Sequence, residues 1–190
     1  MATEVGIANR ALQLLGAKSI TSLTDDSTNA RAVNLAYEPV KLSELRKHVW
    51  NFAVARASLA ASSTAPLFTK TNSFPLPSDF LRLLPQDPED LTNTLDWQIE
   101  GRNIVTNDSD PLEIRYIYDV TDPNEMDPLF REAFSAKLAE SICEQLTQSN
   151  TKIANISAMY KDLILDAKRT NAIENVAAEA PEDTWITVRE

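Results

Sequence analysis

From the N-terminus, apolar side chains recur at spacings of three and four: Val5, Ala8, Leu12 and Leu15 form one stripe, the pattern of an amphipathic helix. Thr3 stands ready to cap it and Gly16 to stop it, so the spacing predicts a helix from about Glu4 to Leu15. The polar stretch Asp25-Asp26-Ser27-Thr28 then offers caps for a second helix, with Ala30, Val33, Tyr37 and Val40 on one face and Leu42, Leu45 and Val49 following. Pro39 lies inside it and lacks the amide that would bond to Leu35. A kink or break is expected there, in keeping with the change of phase in the stripe.

From Phe52 the period becomes two. Phe52 to Leu59 alternates as a half-buried strand does, and Pro66, Pro75, Pro77, Pro85 and Pro88 cut the next stretch of chain into short pieces. Phe80 to Leu84 reads as a strand. Trp97 to Glu100 and Asn103 to Thr106 flank Gly101-Arg102 as a tight hairpin, and Leu112 to Tyr118 is the clearest strand of all. The middle of the chain therefore predicts one small antiparallel sheet. Helices return after Asp127-Pro128, a cap followed by a first-turn proline. Phe130, Phe134, Leu138, Ile142 and Leu146 stand four apart, and after Gln148-Ser149-Asn150 comes a second face of Ile153, Ile156, Tyr160, Leu163 and Ala167. These two helices are expected to form a hairpin that packs on the N-terminal pair.

The expected fold class is α+β. Residues 1–50 and 126–175 make a four-helix-bundle-like helical domain, residues 51–125 a β-rich insertion, and residues 176–190 an extended C-terminal tail. That tail is rich in alanine and acid, and ends in the strand-prone run Trp185-Ile186-Thr187-Val188.

Hydrophobic residues at 43% and charged residues at 24% allow an ordinary globular core. Met1-Ala2-Thr3-Glu4 carries no basic segment leading into an apolar run, and nothing approaches the roughly 18 apolar residues of a membrane span, so neither a signal peptide nor a membrane partner is expected. Cys143, the single cysteine, has no internal disulfide partner, which fits synthesis in a reducing cytoplasm. One histidine, one cysteine and three scattered glycines (Gly6, Gly16, Gly101) fall short of a metal site, a nucleophile–base pair or a phosphate-cradling loop. His48 reads as a polar residue at a helix end, where the dipole favours it, and Cys143 as an inert thiol inside an apolar stripe. No catalytic, cofactor-binding or metal-binding residues are assigned. Carboxylates are the one abundant acid–base group, and no motif selects a pair of them.

Charge is uneven. Residues 61–130 carry 4 basic and 13 acidic side chains, or −9 of the total −10. An acidic face repels phosphate and suits a wall past which DNA slides better than a DNA-binding surface.

Several ordered fragments carry a resemblance. They are Ala8-Asn9-Arg10-Ala11-Leu12-Gln13-Leu14-Leu15-Gly16, then Ile20-Thr21-Ser22-Leu23-Thr24-Asp25, Ala32-Val33-Asn34-Leu35-Ala36-Tyr37 and Trp50-Asn51-Phe52-Ala53. Leu76-Pro77-Ser78-Asp79-Phe80-Leu81-Arg82-Leu83, Trp97-Gln98-Ile99-Glu100-Gly101-Arg102, Ile114-Arg115-Tyr116-Ile117 and Asp127-Pro128-Leu129-Phe130, with Ala136-Lys137-Leu138-Ala139 in the helix it opens, complete the order. Over roughly residues 5–170 the chain resembles the head-to-tail adaptors of tailed bacteriophages, the connectors called tail tubular protein A in short-tailed phages. The resemblance implies a structural virion protein without enzymatic activity or cofactor, made in the host cytoplasm and placed in the neck of the particle. It implies a homo-oligomeric ring, usually dodecameric, with the portal protein on one side, a tail nozzle or tail tube protein on the other, and DNA passing through without sequence-specific binding. Trp185, Ile186, Thr187 and Val188 are the expected partner-binding residues, docking by strand addition into the portal or a neighbouring subunit. A tail-completion or stopper protein of another symmetry, a tail-associated carboxylate hydrolase and an unrelated regulatory module are the competing readings.

Overall fold

A computed structural model of the 190-residue chain describes residues 1–86 and 96–174. Helix α1, Glu4–Leu15, starts where the Thr3 hydroxyl accepts the Gly6 amide and ends at Gly16, which adopts φ 68°. Helix α2, Thr28–Lys47, is capped by Ser27 and runs through Pro39 without the expected break. The reason lies in where the proline points. Pro39 is exposed and Leu35, whose carbonyl loses its donor, is 79% exposed, so both lie on the solvent side of the helix, where a lost backbone bond costs least.

The chain then makes a single 3₁₀ turn at Asn51–Ala53 before β1, Val54–Leu59, so the strand begins two residues later than the alternation predicts. Strands β2 (Asn72–Pro75), β3 (Phe80–Leu84), β4 (Trp97–Glu100), β5 (Asn103–Thr106) and β6 (Leu112–Tyr118) come next. They form two antiparallel three-stranded sheets, ordered β1-β6-β3 and β2-β5-β4, where the sequence pattern predicts one. The second sheet escapes the pattern because β2 is a four-residue strand, Asn-Ser-Phe-Pro, with no alternation to detect and Pro75 and Pro77 curtailing it. The sheets share a small core of Phe74, Ile104, Leu112, Ile114 and Tyr116.

Helix α3, Pro128–Thr147, opens on the Asp127 carboxylate, which accepts the Leu129 and Phe130 amides, and helix α4, Asn150–Ile173, opens on Ser149. The described residues are thus four helices and two small antiparallel sheets, a mixed α+β fold. Helix α3 is the common neighbour, packing against α1, α2 and α4. Its buried Phe130, Phe134, Leu138 and Ile142 form the spine of a large core that also takes in Ile117 of β6 and Leu84 of β3. Among the described residues, no helix is long and apolar enough to cross a membrane.

Candidate functional site: a polar seam and an arginine groove

The helices meet the sheets along a seam of polar bonds. Trp50, 1% exposed, donates its indole N–H to the Glu44 carbonyl at 3.2 Å and sits edge-on to His48 and Phe130, with ring centroids at 4.7 and 4.9 Å. Next to it the Asn51 amide donates to Asn171 Oδ1 at 2.8 Å, Asn51 Nδ2 donates to the Asn171 carbonyl at 2.9 Å, and Asn171 Nδ2 donates to the Val49 carbonyl at 3.0 Å. Three bonds therefore tie the end of α4 to the link between α2 and β1. Lys41 on α2, 3% exposed, places Nζ 2.8 Å from Asp119, just beyond β6, and 3.1 Å from Glu38. Burial works against its charge, but the two carboxylates more than offset that and hold the Lys41 pKa above its ordinary value.

A second polar group lies between α2, α3 and α4. Glu44, 1% exposed, accepts from the Tyr160 hydroxyl at 2.7 Å and from Lys47 at 2.5 Å, while Lys137 lies 5.1 Å above the Tyr160 ring and pairs with Glu140 at 2.5 Å. Burial, then the Glu44 hydrogen bond and charge, push the Tyr160 pKa well up. Burial also acts to raise the Glu140 pKa, but hydrogen bonds from Lys137 and Ser157 prevail and lower it. A general acid for glycoside cleavage needs the opposite shift.

The helix-side face of the sheet β1-β6-β3 carries the most unusual chemistry where it runs out beyond the helices. The register sets Val54 opposite Ile117, Arg56 opposite Arg115 and Ser58 opposite Glu113 on that face, with Arg82 and Leu84 continuing it across β3. Ile117 is buried under the helices, and beyond it the face emerges into an open groove of about 370 Å³. Exposed Arg56 and half-buried Arg115 line this groove with Ser58, Gln86 and Glu113. Like charges directly opposite one another in a sheet oppose its formation. Lys41, Lys47, Lys70, Lys137, Arg10, Arg31 and Arg169 each have a carboxylate partner, yet neither the Arg56 nor the Arg115 guanidinium makes a hydrogen bond or ion pair among the described residues. The basic character extends toward the helices. Arg46 donates to the Leu81 carbonyl and Arg82 to the Arg46 carbonyl at 3.0 Å. Burial, then the charges of Lys168 and Arg82, lower the His48 pKa. His48 does end α2, but this environment favours its neutral form and not the cation that a helix dipole attracts.

Cys143 is fully buried in α3, its Sγ 3.3 Å from the Thr147 hydroxyl. Gly101 turns the β4–β5 hairpin at φ 60°. Trp185, Ile186, Thr187 and Val188 lie outside the described residues. Among the described residues no cluster of three or more histidine, cysteine or acidic side chains is arranged to hold a metal ion. Sequence reasoning leaves Arg56 and Arg115 unmarked. Each falls on the polar side of its strand's alternation, and their pairing becomes visible only once the strands are in register.

Compared with protein-family models and with curated proteins, the chain finds no match in either.

Proposed function

We propose that this chain is a structural virion protein: one subunit of a ring-shaped adaptor that joins a phage portal to its tail and extends the DNA channel. The observation that carries the reading is the polar seam. An adaptor must hold a portal-facing part and a tail-facing part in fixed geometry, and the Lys41–Asp119 and Asn51–Asn171 contacts bind helices to sheets on either side of the Trp50 junction. Some of the residues behind the resemblance hold this seam, and others fix the helix ends. Trp50 and Asn51 form the seam itself, and Asn9 of α1 exchanges two hydrogen bonds, at 2.8 and 2.9 Å, with the backbone of Ile20. Asp127-Pro128 opens the central helix. In this reading the four helices form the bundle-like, ring-building domain (residues 1–50 and 126–175), the insertion 51–125 faces the tail, and Trp185–Val188 of the C-terminal extension dock into the portal or a neighbour. A ring needs two different faces of one subunit to meet, which a chain with both acidic and basic surfaces supplies.

The test uses DNA-filled, tail-less heads of the phage whose genome encodes the chain. The protein should add a ring of density to the portal vertex in electron micrographs, and a bare vertex at saturating protein would sink the proposal. Deleting residues 181–190 should leave a folded protein that no longer decorates those heads.

A further inference from the structure

The arginine groove has chemistry that the adaptor role does not by itself assign. Arg56 and Arg115 are fixed by the β1–β6 register, face the same open groove and, although Glu113 also lines it, form no ion pair among the described residues. Two planar guanidiniums on neighbouring strands present fork-shaped donors suited to carboxylates. One rim of the groove is Glu113, whose carbonyl accepts from the Gln86 amide. That carboxylate would repel a continuous run of phosphates, and so would a chain of net charge −10. A short peptide segment can instead place isolated carboxylates on the arginines and leave neutral atoms beside Glu113.

The same chain offers such a segment elsewhere. Between β6 and α3, exposed Asp122 and Glu125 sit in a tight turn in which the Glu125 amide donates to the Asp122 carbonyl at 3.1 Å. The Asn124 amide and side chain donate to the Asp122 carboxylate at 2.9 and 2.7 Å, and they lower its pKa and keep it charged. This turn touches the N-terminus of the chain, where the Ala2 amide donates to Asn124 Oδ1 at 2.9 Å, and the Arg56 and Arg115 guanidiniums pair with neither of its carboxylates within one molecule. Hydrogen bonds within the turn, and one from the Tyr118 hydroxyl to the Glu125 carboxylate at 3.3 Å, hold its shape before it binds and so reduce the ordering entropy that docking costs.

We infer that the Arg56–Arg115 groove is a carboxylate-binding site that receives the Asp122–Glu125 turn of a second copy of this chain. The pairing is head-to-tail, since groove and turn are different surfaces, and such a contact repeats from copy to copy until it closes. The inference rests on the ring reading and names the contact between neighbouring subunits.

A charge-swap experiment separates the two claims. Self-association of the full chain is measured by sedimentation velocity, and ring formation on portal-bearing heads by electron microscopy. Arg56→Glu with Arg115→Glu, or Asp122→Lys with Glu125→Lys, should each weaken association by about a hundredfold or more, and mixing the two double variants should restore it, because like-charge juxtaposition is relieved only in the mixed pair. The milder Arg56→Gln with Arg115→Gln, checked for an unchanged thermal melt, should weaken association less, and added salt should weaken the wild type further. If the arginine variants assemble as the wild type does, the groove is not the contact, while the ring reading stands. If they fail but the Asp122/Glu125 variant assembles normally, the occupant is wrong. If the wild type retains duplex DNA and the glutamine variant does not, the groove binds phosphate and the inference falls. A wild type that assembles neither alone nor on heads overturns the ring reading and this contact with it.

Discussion

Phe130 and Phe74 are both fully buried, yet they sit in cores of very different depth. Phe130 lies among the rings of Trp50, Phe52 and Phe134, at 4.9, 5.1 and 6.1 Å, inside a cluster that draws on all four helices and on β3 and β6. Among the described residues Phe74 shares its buried core with Ile104, Leu112, Ile114 and Tyr116, with partly buried side chains such as Leu76, Phe80 and Leu83 packed against them. The difference teaches where stability originates. A sheet of three short strands needs an apolar face or a helix to pack against, and β6 has both, turning Ile117 into the helical core while Ile114 and Tyr116 face the other way. The helices carry the fold and the sandwich is held against them, so surface chemistry on the sheets can vary without loss of the scaffold.

The comparison breaks if the two cores respond alike. Phe130→Ala should cost about 3–5 kcal/mol, the range for emptying an aromatic site in a deep core. Urea unfolding followed by circular dichroism and by tryptophan fluorescence should then show one cooperative transition moved to much lower denaturant. Phe74→Ala should cost about 3 kcal/mol or less, because a thin core between two sheets collapses more easily around the void. Hydrogen exchange should show lost protection in β2, β4 and β5 with α3 unchanged, and equal loss in α3 would contradict the division. Lys41→Ala probes the link between the regions. It strands Asp119 and Glu38 and should cost about 2 kcal/mol, below the 3–5 of a fully buried pair because Glu38 is more than half exposed. The smallest effect is one of pH. The His48 pKa is lowered in the folded chain, so the unfolded chain takes up the proton first, near the ordinary 6.5. Stability should fall as pH drops from there to the folded value and then level off with respect to this group. His48→Gln should remove that dependence from the denaturation midpoint, and an unchanged pH profile would mean that His48 does not contribute.

Much of the helical scaffold is legible in the sequence because its signals are local. Thr3 with Gly16, Ser27, and Asp127 with Pro128 are caps read within a few residues of the turns they satisfy, and the starts of α1, α2 and α3 obey them. Strands β3, β4, β5 and β6 are equally plain from alternation. The features that escape are non-local. Whether Asn72–Pro75 pairs with β5 or with β1 is decided by partners far along the chain, and so is the meeting of Arg56 with Arg115. Phe52 fits an alternating pattern, yet it sits in a 3₁₀ turn because Asn51 is held by Asn171, a contact that no local rule anticipates. The proline in α2 does not end the helix for a related reason: what it costs depends on which side of the helix faces solvent, which is a tertiary fact.

The burial of Cys143 gives the molecule a practical property. Its thiol is 0% exposed, in the C-terminal half of α3, so a maleimide reagent reaches it only when that part of the helical core opens. Reaction at that one sulfur therefore clocks the opening of the core around the end of α3. Conversely, a cysteine introduced on the surface, at Ser58 in the groove or at Asn124 in the acidic turn, becomes the sole reactive handle on the folded chain. Dyes placed at those two positions would report by energy transfer on the distance between neighbouring copies, subunit by subunit, as an assembly grows.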